Sequence, residues 1–270
     1  MSARETLAGA VWEDIRAVRD TAPLVVNITN YVVTNNTANA LLALGASPAM
    51  SHVVEDLPGL VRLSGALVVN LGTLAPDYVE GMRVAMALAN EMGLPIVLDP
   101  VAAGVNELRT DLAREFLAQY RPAILRGNAS EIMAVAGEDG QAKGVDTSMG
   151  VDEAGNAARM LSDTYGCAVL VSGETDLVVG GGREARLAGG SSMMPRVTGL
   201  GCTCTALAGA FAAVRKDFFQ AAVSTAAAMN IAGEMAAERS PGPGSLQMHL
   251  LDALYLLDEA TVLDRLKVVE

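Results

Sequence analysis

Five short apolar runs, each stopped abruptly by polar or glycine residues, constrain this chain more than any other feature. They are PLVVNITN (23–30), GALVVNLGT (65–73), LPIVLDPVAAG (94–104), PAILRGNASE (122–131) and CAVLVSGETD (167–176). Their β-branched content and lack of alternation suit strands buried on both faces, which is the condition of parallel sheets. Helical patterns lie between them, as over 78–92 and 110–120. The alternation predicts a doubly wound α/β fold, a mostly parallel central sheet with helices on both faces. Ligands of such sheets gather at the carboxyl ends of the strands. Here those ends carry Asn27, Asn30, Asn70, Asp99, Arg126, Asn128, Glu131, Ser172 and Glu174.

The C-terminal third differs. Residues 203–239 are mostly alanine with Met, Val and Phe, which suits close-packed helices. PGPGS (241–245) interrupts them, and Leu246, Leu250, Leu254 and Leu257 then mark one face of a closing helix. With 270 residues, 51% of them hydrophobic, and no repeat or low-complexity linker, one domain over 1–270 is the simplest organisation. Apolar runs stay below the roughly 18 residues of a membrane span, and the amphipathic N-terminus does not resemble a cleaved signal. The expectation is a cytoplasmic protein without membrane partners. A net charge of −12 argues against a nucleic-acid partner, since phosphate backbones demand clustered Lys and Arg. Any phosphate bound here must be held locally.

Chemistry is restricted by scarcity. Cys167, Cys202 and Cys204 have no repeated spacing, so neither a disulfide framework nor a zinc site is indicated. With His52 and His249 as the only histidines and no G-x-S-x-G elbow, a Ser–His–Asp hydrolase is disfavoured. The P-loop and dinucleotide fingerprints are absent. What remains is VTGLGCTCTALAGAF (197–211), a glycine-paired loop running into an alanine-rich helix expected to open near Thr203. Unpaired amides at that start suit an anion, with Gly199, Gly201 and Cys202 forming the hole. Close helix packing explains the glycines equally well. Asp99 and Glu131 could converge on Mg²⁺, which takes one or two protein carboxylates plus waters and phosphates. Alternatively, Asp99 caps its turn and Glu131 opens a helix. Arg126 at a strand end needs an anionic partner, either a ligand or one of these carboxylates. The asparagines at 27, 30, 35, 36 and 39 fit turn and cap chemistry, and Met50 fits either a soft ring or the core.

Taken together, NITNYVVTNNTANALLALGASPAMSHVVED (27–56), LDPVAAG (98–104), ILRGNASEI (124–132), KGVD (143–146), VTGLGCTCTALAGAF (197–211) and GPGSLQMHLLDALYLL (242–257) resemble the hydroxyethylthiazole kinase family of the ribokinase-like superfamily. The resemblance runs from about residue 23 to 257 in order. It implies ATP-dependent phosphorylation of the hydroxyl of 4-methyl-5-(2-hydroxyethyl)thiazole, a thiamine salvage step. By matching motif, Met50 and Gly199 contact the thiazole alcohol, and Arg126 and Ser172 contact ATP with Asn30 near its phosphates. Asp99 and Glu131 hold Mg²⁺, directly or through water. Cys202 takes the catalytic position, where the wider superfamily usually has an aspartate base. Leu200 stands where the family more often has threonine. The helix dipole favours a Cys202 thiolate, although a loose phosphoryl transition state demands little of a base. A homotrimer with sites at subunit interfaces is also implied. A kinase for another small heterocyclic alcohol, such as hydroxymethylpyrimidine, or a non-catalytic relative are the other readings.

Overall fold

The computed structural model describes residues 2–137 and 151–269. The KGVD segment lies outside the described residues. The chain opens with α1 (Ala3–Thr21), β1 (Leu24–Ile28), α2 (Thr34–Leu44), β2 (Ser47–Met50), α3 (Leu57–Leu63), β3 (Ala66–Asn70) and α4 (Pro76–Met92). It continues with β4 (Ile96–Asp99), α5 (Glu107–Tyr120), β5 (Ile124–Asn128), α6 (Ala129–Ala136), α7 (Val151–Tyr165) and β6 (Ala168–Ser172). Then come β7 (Thr175–Gly180), β8 (Arg183–Ala188), α8 (Leu200–Val214), α9 (Phe218–Glu238), α10 (Pro243–Leu256), α11 (Glu259–Arg265) and β9 (Lys267–Val269).

The strands form one sheet in the order β2-β1-β3-β4-β5-β6-β7-β8-β9. From β2 through β6 every pairing is parallel; β7, β8 and β9 are added antiparallel. Side chains alternate across the sheet, as strand geometry requires. Val25, Val68, Val97 and Ile124 join α1, α2 and α8–α11 in one core. Val26, Leu67, Leu98 and Leu125 join α3–α7 in the other. The result is the three-layer α/β architecture that the apolar runs predict. Full burial of each such aliphatic side chain contributes roughly 1.5–3 kcal/mol.

Several boundaries shift from the sequence reading. Helices α4 and α5 begin earlier, at Pro76 and Glu107, because a proline in the first turn and an Asn106 cap start them. The alanine-rich stretch breaks at Arg215–Asp217, where Asp217 caps α9 by accepting from the Gln220 amide. Leu246, Leu250 and Leu254 are buried on α10, with Leu257 just beyond it. No described helix is long and apolar enough to cross a membrane.

Candidate active site

Parallel pairing brings the strand ends into one row. Asn70 and Asp99 are the last residues of β3 and β4 and are direct neighbours in register. Asn70 Nδ2 donates to Asp99 Oδ2 at 2.8 Å, and Thr205 Oγ1 of α8 donates to the same oxygen at 2.7 Å. The alternative in which Asp99 caps its own turn is not what these bonds describe. Asn70 Oδ1 accepts from Asn30 Nδ2 at 2.9 Å, and Asn30 Nδ2 also lies 3.4 Å from Cys202 Sγ. A buried line of amides therefore joins Asp99 to the thiol.

Arg126 reaches across from β5. Its Nη2 donates to Ser172 Oγ at 2.5 Å, its Nη1 stands 4.0 Å from Asp99 Oδ2, and its buried Nε has no hydrogen-bond partner among the described residues. An orphaned guanidinium N–H beside a helix start is what a phosphate oxygen satisfies. Burial raises the Asp99 pKa to about 6, with the Glu131 charge adding to this and Arg126 opposing it. At 4.0 Å the guanidinium does not offset the lost hydration.

Glu131 occupies the third position of α6. Its Oε2 accepts from the Asn128 amide at 2.8 Å, and Asn128 Oδ1 accepts from the Glu131 amide at 2.9 Å, a reciprocal capping box. The helix-opening role is thus present. The other oxygen, Oε1, accepts from the Ala102 amide at 2.8 Å, which aims the carboxylate back toward the loop after Asp99. Among the described residues no group of three or more His, Cys, Asp or Glu could cage a metal. Two buried carboxylates, Asp99 at the end of β4 and Glu131 in the first turn of α6, suit a cation that relies on waters and phosphates for its remaining ligands, as Mg²⁺ does.

Helix α8 starts at Leu200, not near Thr203, so Cys202 already lies in its first turn. The loop closes because Gly199 adopts φ +81°, and a Cβ there would meet Val33 Cγ1 at 2.3 Å. A Cβ on Gly201 would meet Arg126 Nη1 at 2.6 Å, so this backbone lies directly against the guanidinium. Both glycines therefore have steric reasons beyond packing.

The sequence leaves the ionisation of Cys202 open, and its surroundings in the fold oppose the thiolate. Burial, followed by the Asp99 charge, pushes this thiol up to about 11, and hydrogen bonds from Asn70 and Asn30 and the charge of Arg126 only partly counteract them. Desolvation of the anion is the largest cause. From an ordinary 9 to about 11 is two pH units, so at pH 8 the thiolate fraction of Cys202 is about 100-fold lower and, allowing for the greater nucleophilicity of a more basic thiolate, alkylation with iodoacetamide is expected to be about tenfold slower than for an unperturbed thiol. The rate should climb with pH up to about 11; a plateau already reached below pH 8 would instead mark a thiolate. Cys204 is buried and its thiol lies still higher, about 12, because of burial.

Met50 ends the edge strand β2, opposite Asn27 and on the flank of this row. The other asparagines divide: Asn36 donates to Thr203 Oγ1, Asn39 to Asn35, and Asn27 to the Val25 carbonyl. His52 stacks on Tyr78 at 3.8 Å and approaches Asp77. Asn70 and Thr205 were not singled out as site residues from the sequence. Asn70 was visible as a strand-end asparagine, whereas Thr205 carries no signal until α8 is seen lying over β4.

The sequence profile of the hydroxyethylthiazole kinase family matches residues 15–260. The chain belongs to the hydroxyethylthiazole kinase family. It is 51% identical to a hydroxyethylthiazole kinase of Nitratidesulfovibrio vulgaris (strain DSM 19637 / Miyazaki F) over 258 residues, covering 96% of this chain and 97% of that one. A solved hydroxyethylthiazole kinase protein from Pyrococcus horikoshii OT3 superposes with a TM-score of 0.89 at 41% identity, covering 96% of this chain and 98% of that one. The pyridoxal kinase from Staphylococcus aureus shares the fold, with a TM-score of 0.61 at 16% identity over 79% of this chain and 88% of its own.

Proposed function

We propose that the protein phosphorylates the hydroxyl of 4-methyl-5-(2-hydroxyethyl)thiazole with ATP, in thiamine biosynthesis or salvage. The observation that carries this reading is the family match over residues 15–260, whose span includes Cys202, Asn30, Asp99 and Arg126 as one connected cluster. The alcohol lies between Cys202 and Gly199, with Met50 against the thiazole ring. The ATP phosphates lie over the start of α8, where the amides of Gly201 and Cys202 and the free Nε of Arg126 supply donors. Ser172 and Asn30 complete the phosphate side. Asp99 and Glu131 would hold Mg²⁺, which would supply charge neutralisation at the phosphates.

The alcohol oxygen bonds to the γ-phosphorus as the bond to the leaving ADP breaks. With burial holding its pKa up, Cys202 acts as the thiol, whose S–H orients the alcohol and does not take its proton, while Asn30 Nδ2 lies 3.4 Å from the sulfur. In a loose transition state the hydroxyl keeps its proton until late, so positioning and electrostatics dominate the rate. The proton then leaves through the phosphoryl oxygens to solvent.

Assembly as a homotrimer with sites at subunit interfaces accords with the edge position of β2 and with exposed Tyr31, Val32, Val53 and Leu63 nearby. Dilution to monomers should then remove thiazole binding and activity together; an active monomer contradicts it. For the reaction itself, protein incubated with the thiazole, ATP and Mg²⁺ should yield the phosphorylated alcohol by mass spectrometry, and EDTA should abolish it. ATP hydrolysed to ADP with the alcohol unchanged would refute the reading.

A further inference from the structure

Arg109 lies on α5, outside every motif that carries the family resemblance, yet its guanidinium spans two loops of the site. Nη1 donates to the carbonyls of Leu71, at 2.6 Å, and Val101, at 3.0 Å, and Nη2 approaches the Gly72 carbonyl at 3.4 Å. Leu71 and Gly72 directly follow Asn70, and the Gly72 amide donates to Asn70 Oδ1 at 2.9 Å. Val101 lies two residues past Asp99 and directly before Ala102, whose amide holds Glu131 Oε1 at 2.8 Å. Ala102 sits at φ +61°, a left-handed conformation that alanine leaves readily unless its neighbours fix it. One planar fork thus ties down the backbone flanking Asn70, Asp99 and Glu131. Lysine, with a point charge, cannot reproduce that span.

We infer that Arg109 is a positioning residue for the divalent cation: it holds the Val101–Ala102 segment so that the Ala102 amide aims Glu131 toward Asp99. The inference rests on the proposed use of Mg-ATP. A guanidinium acting only on fold stability would weaken nucleotide binding with and without metal alike. One that aims the carboxylates should weaken only the metal-dependent part, as loss of an outer hydrogen-bond partner of a metal ligand typically costs about 10- to 100-fold in metal affinity.

The test is calorimetric titration of ATP into wild type, Arg109→Met and Arg109→Lys, each in EDTA and in Mg²⁺. The expected result is that Arg109→Met loses about tenfold of the Mg²⁺-dependent gain in ATP affinity while metal-free affinity stays within twofold, with Arg109→Lys restoring little of it. In a Glu131→Gln background, Arg109→Met should remove almost nothing further, because the group it acts through is gone. An undiminished Mg²⁺ gain in Arg109→Met, or equal losses with and without metal, overturns the inference. If Arg109→Met does not fold, the same two outcomes are read on Arg109→Lys, which keeps the charge and the aliphatic stem. Wild-type protein that binds no ATP under either condition overturns the functional reading, and the inference with it.

Discussion

Asp99→Asn is expected to stabilise the metal-free protein at pH 7.5 while abolishing its kinase activity. Burial holds the Asp99 carboxyl at about 6 in the fold, against an ordinary value near 3.8. A group whose folded pKa is raised binds more protons in the native state between those limits. Its contribution is therefore full below about pH 4 and is lost as pH rises through about 6. Ionised Asp99 then costs the apoprotein about 1–3 kcal/mol at pH 7.5. Asparagine keeps an oxygen for Thr205 and Asn70 and removes the charge. Urea denaturation in EDTA should show the variant ahead of wild type at pH 7.5 and nearly level with it at pH 3.5. Turnover with Mg-ATP should fall on the order of 10³-fold, because a carboxylate proposed for the metal is gone. A variant equally or less stable at pH 7.5 would falsify the claim that Asp99 is held against its ionisation.

Arg126→Met should have the opposite effect on stability and the same effect on activity. The guanidinium is buried beside Asp99 and bonded to Ser172, so its removal leaves carboxylate charge without its nearest cation. The expected destabilisation at pH 7.5 is about 2–4 kcal/mol, at the lower end of broken buried pairs because the separation is 4.0 Å. It should shrink toward pH 5, where Asp99, freed of its cation, takes up a proton. Loss of a phosphate donor should lower kcat/KM for ATP by about 10²–10³-fold. Introduced into the Asp99→Asn background, the same substitution should cost less stability than in wild type, since the charge it left uncompensated is already absent. Equal costs in both backgrounds would show that the two groups do not interact.

The parts of the fold that were legible are those where one physical demand dominates. Strands β1, β3, β4, β5 and β6 are buried along nearly their whole length, so each opens on a short apolar run that stops at a polar residue. Strand β8, REARLA, is only partly buried and reads as a polar surface segment; β9 is exposed throughout. Strand β2, SPAM, is a half-buried edge containing proline, which carries no such signal. For the candidate site, the strand-end rule pointed to Asn30, Asp99, Arg126, Glu131 and Ser172. Thr205 and Arg109 were not legible, because their places depend on how α8 and α5 lie over the sheet. The ionisation of Cys202 stays open in the sequence for a related reason: a helix start is visible there, whereas the burial that raises the thiol is not.

The central claim is that this site transfers phosphate to the thiazole alcohol. The most direct measurement is coupled ADP release by the purified protein with Mg-ATP and either hydroxyethylthiazole, hydroxymethylpyrimidine or no alcohol. The account predicts turnover with the thiazole, at a kcat/KM at least roughly tenfold above that for the pyrimidine, and only background without an alcohol. Turnover with the pyrimidine alone, or ADP release that ignores the alcohol, would contradict it.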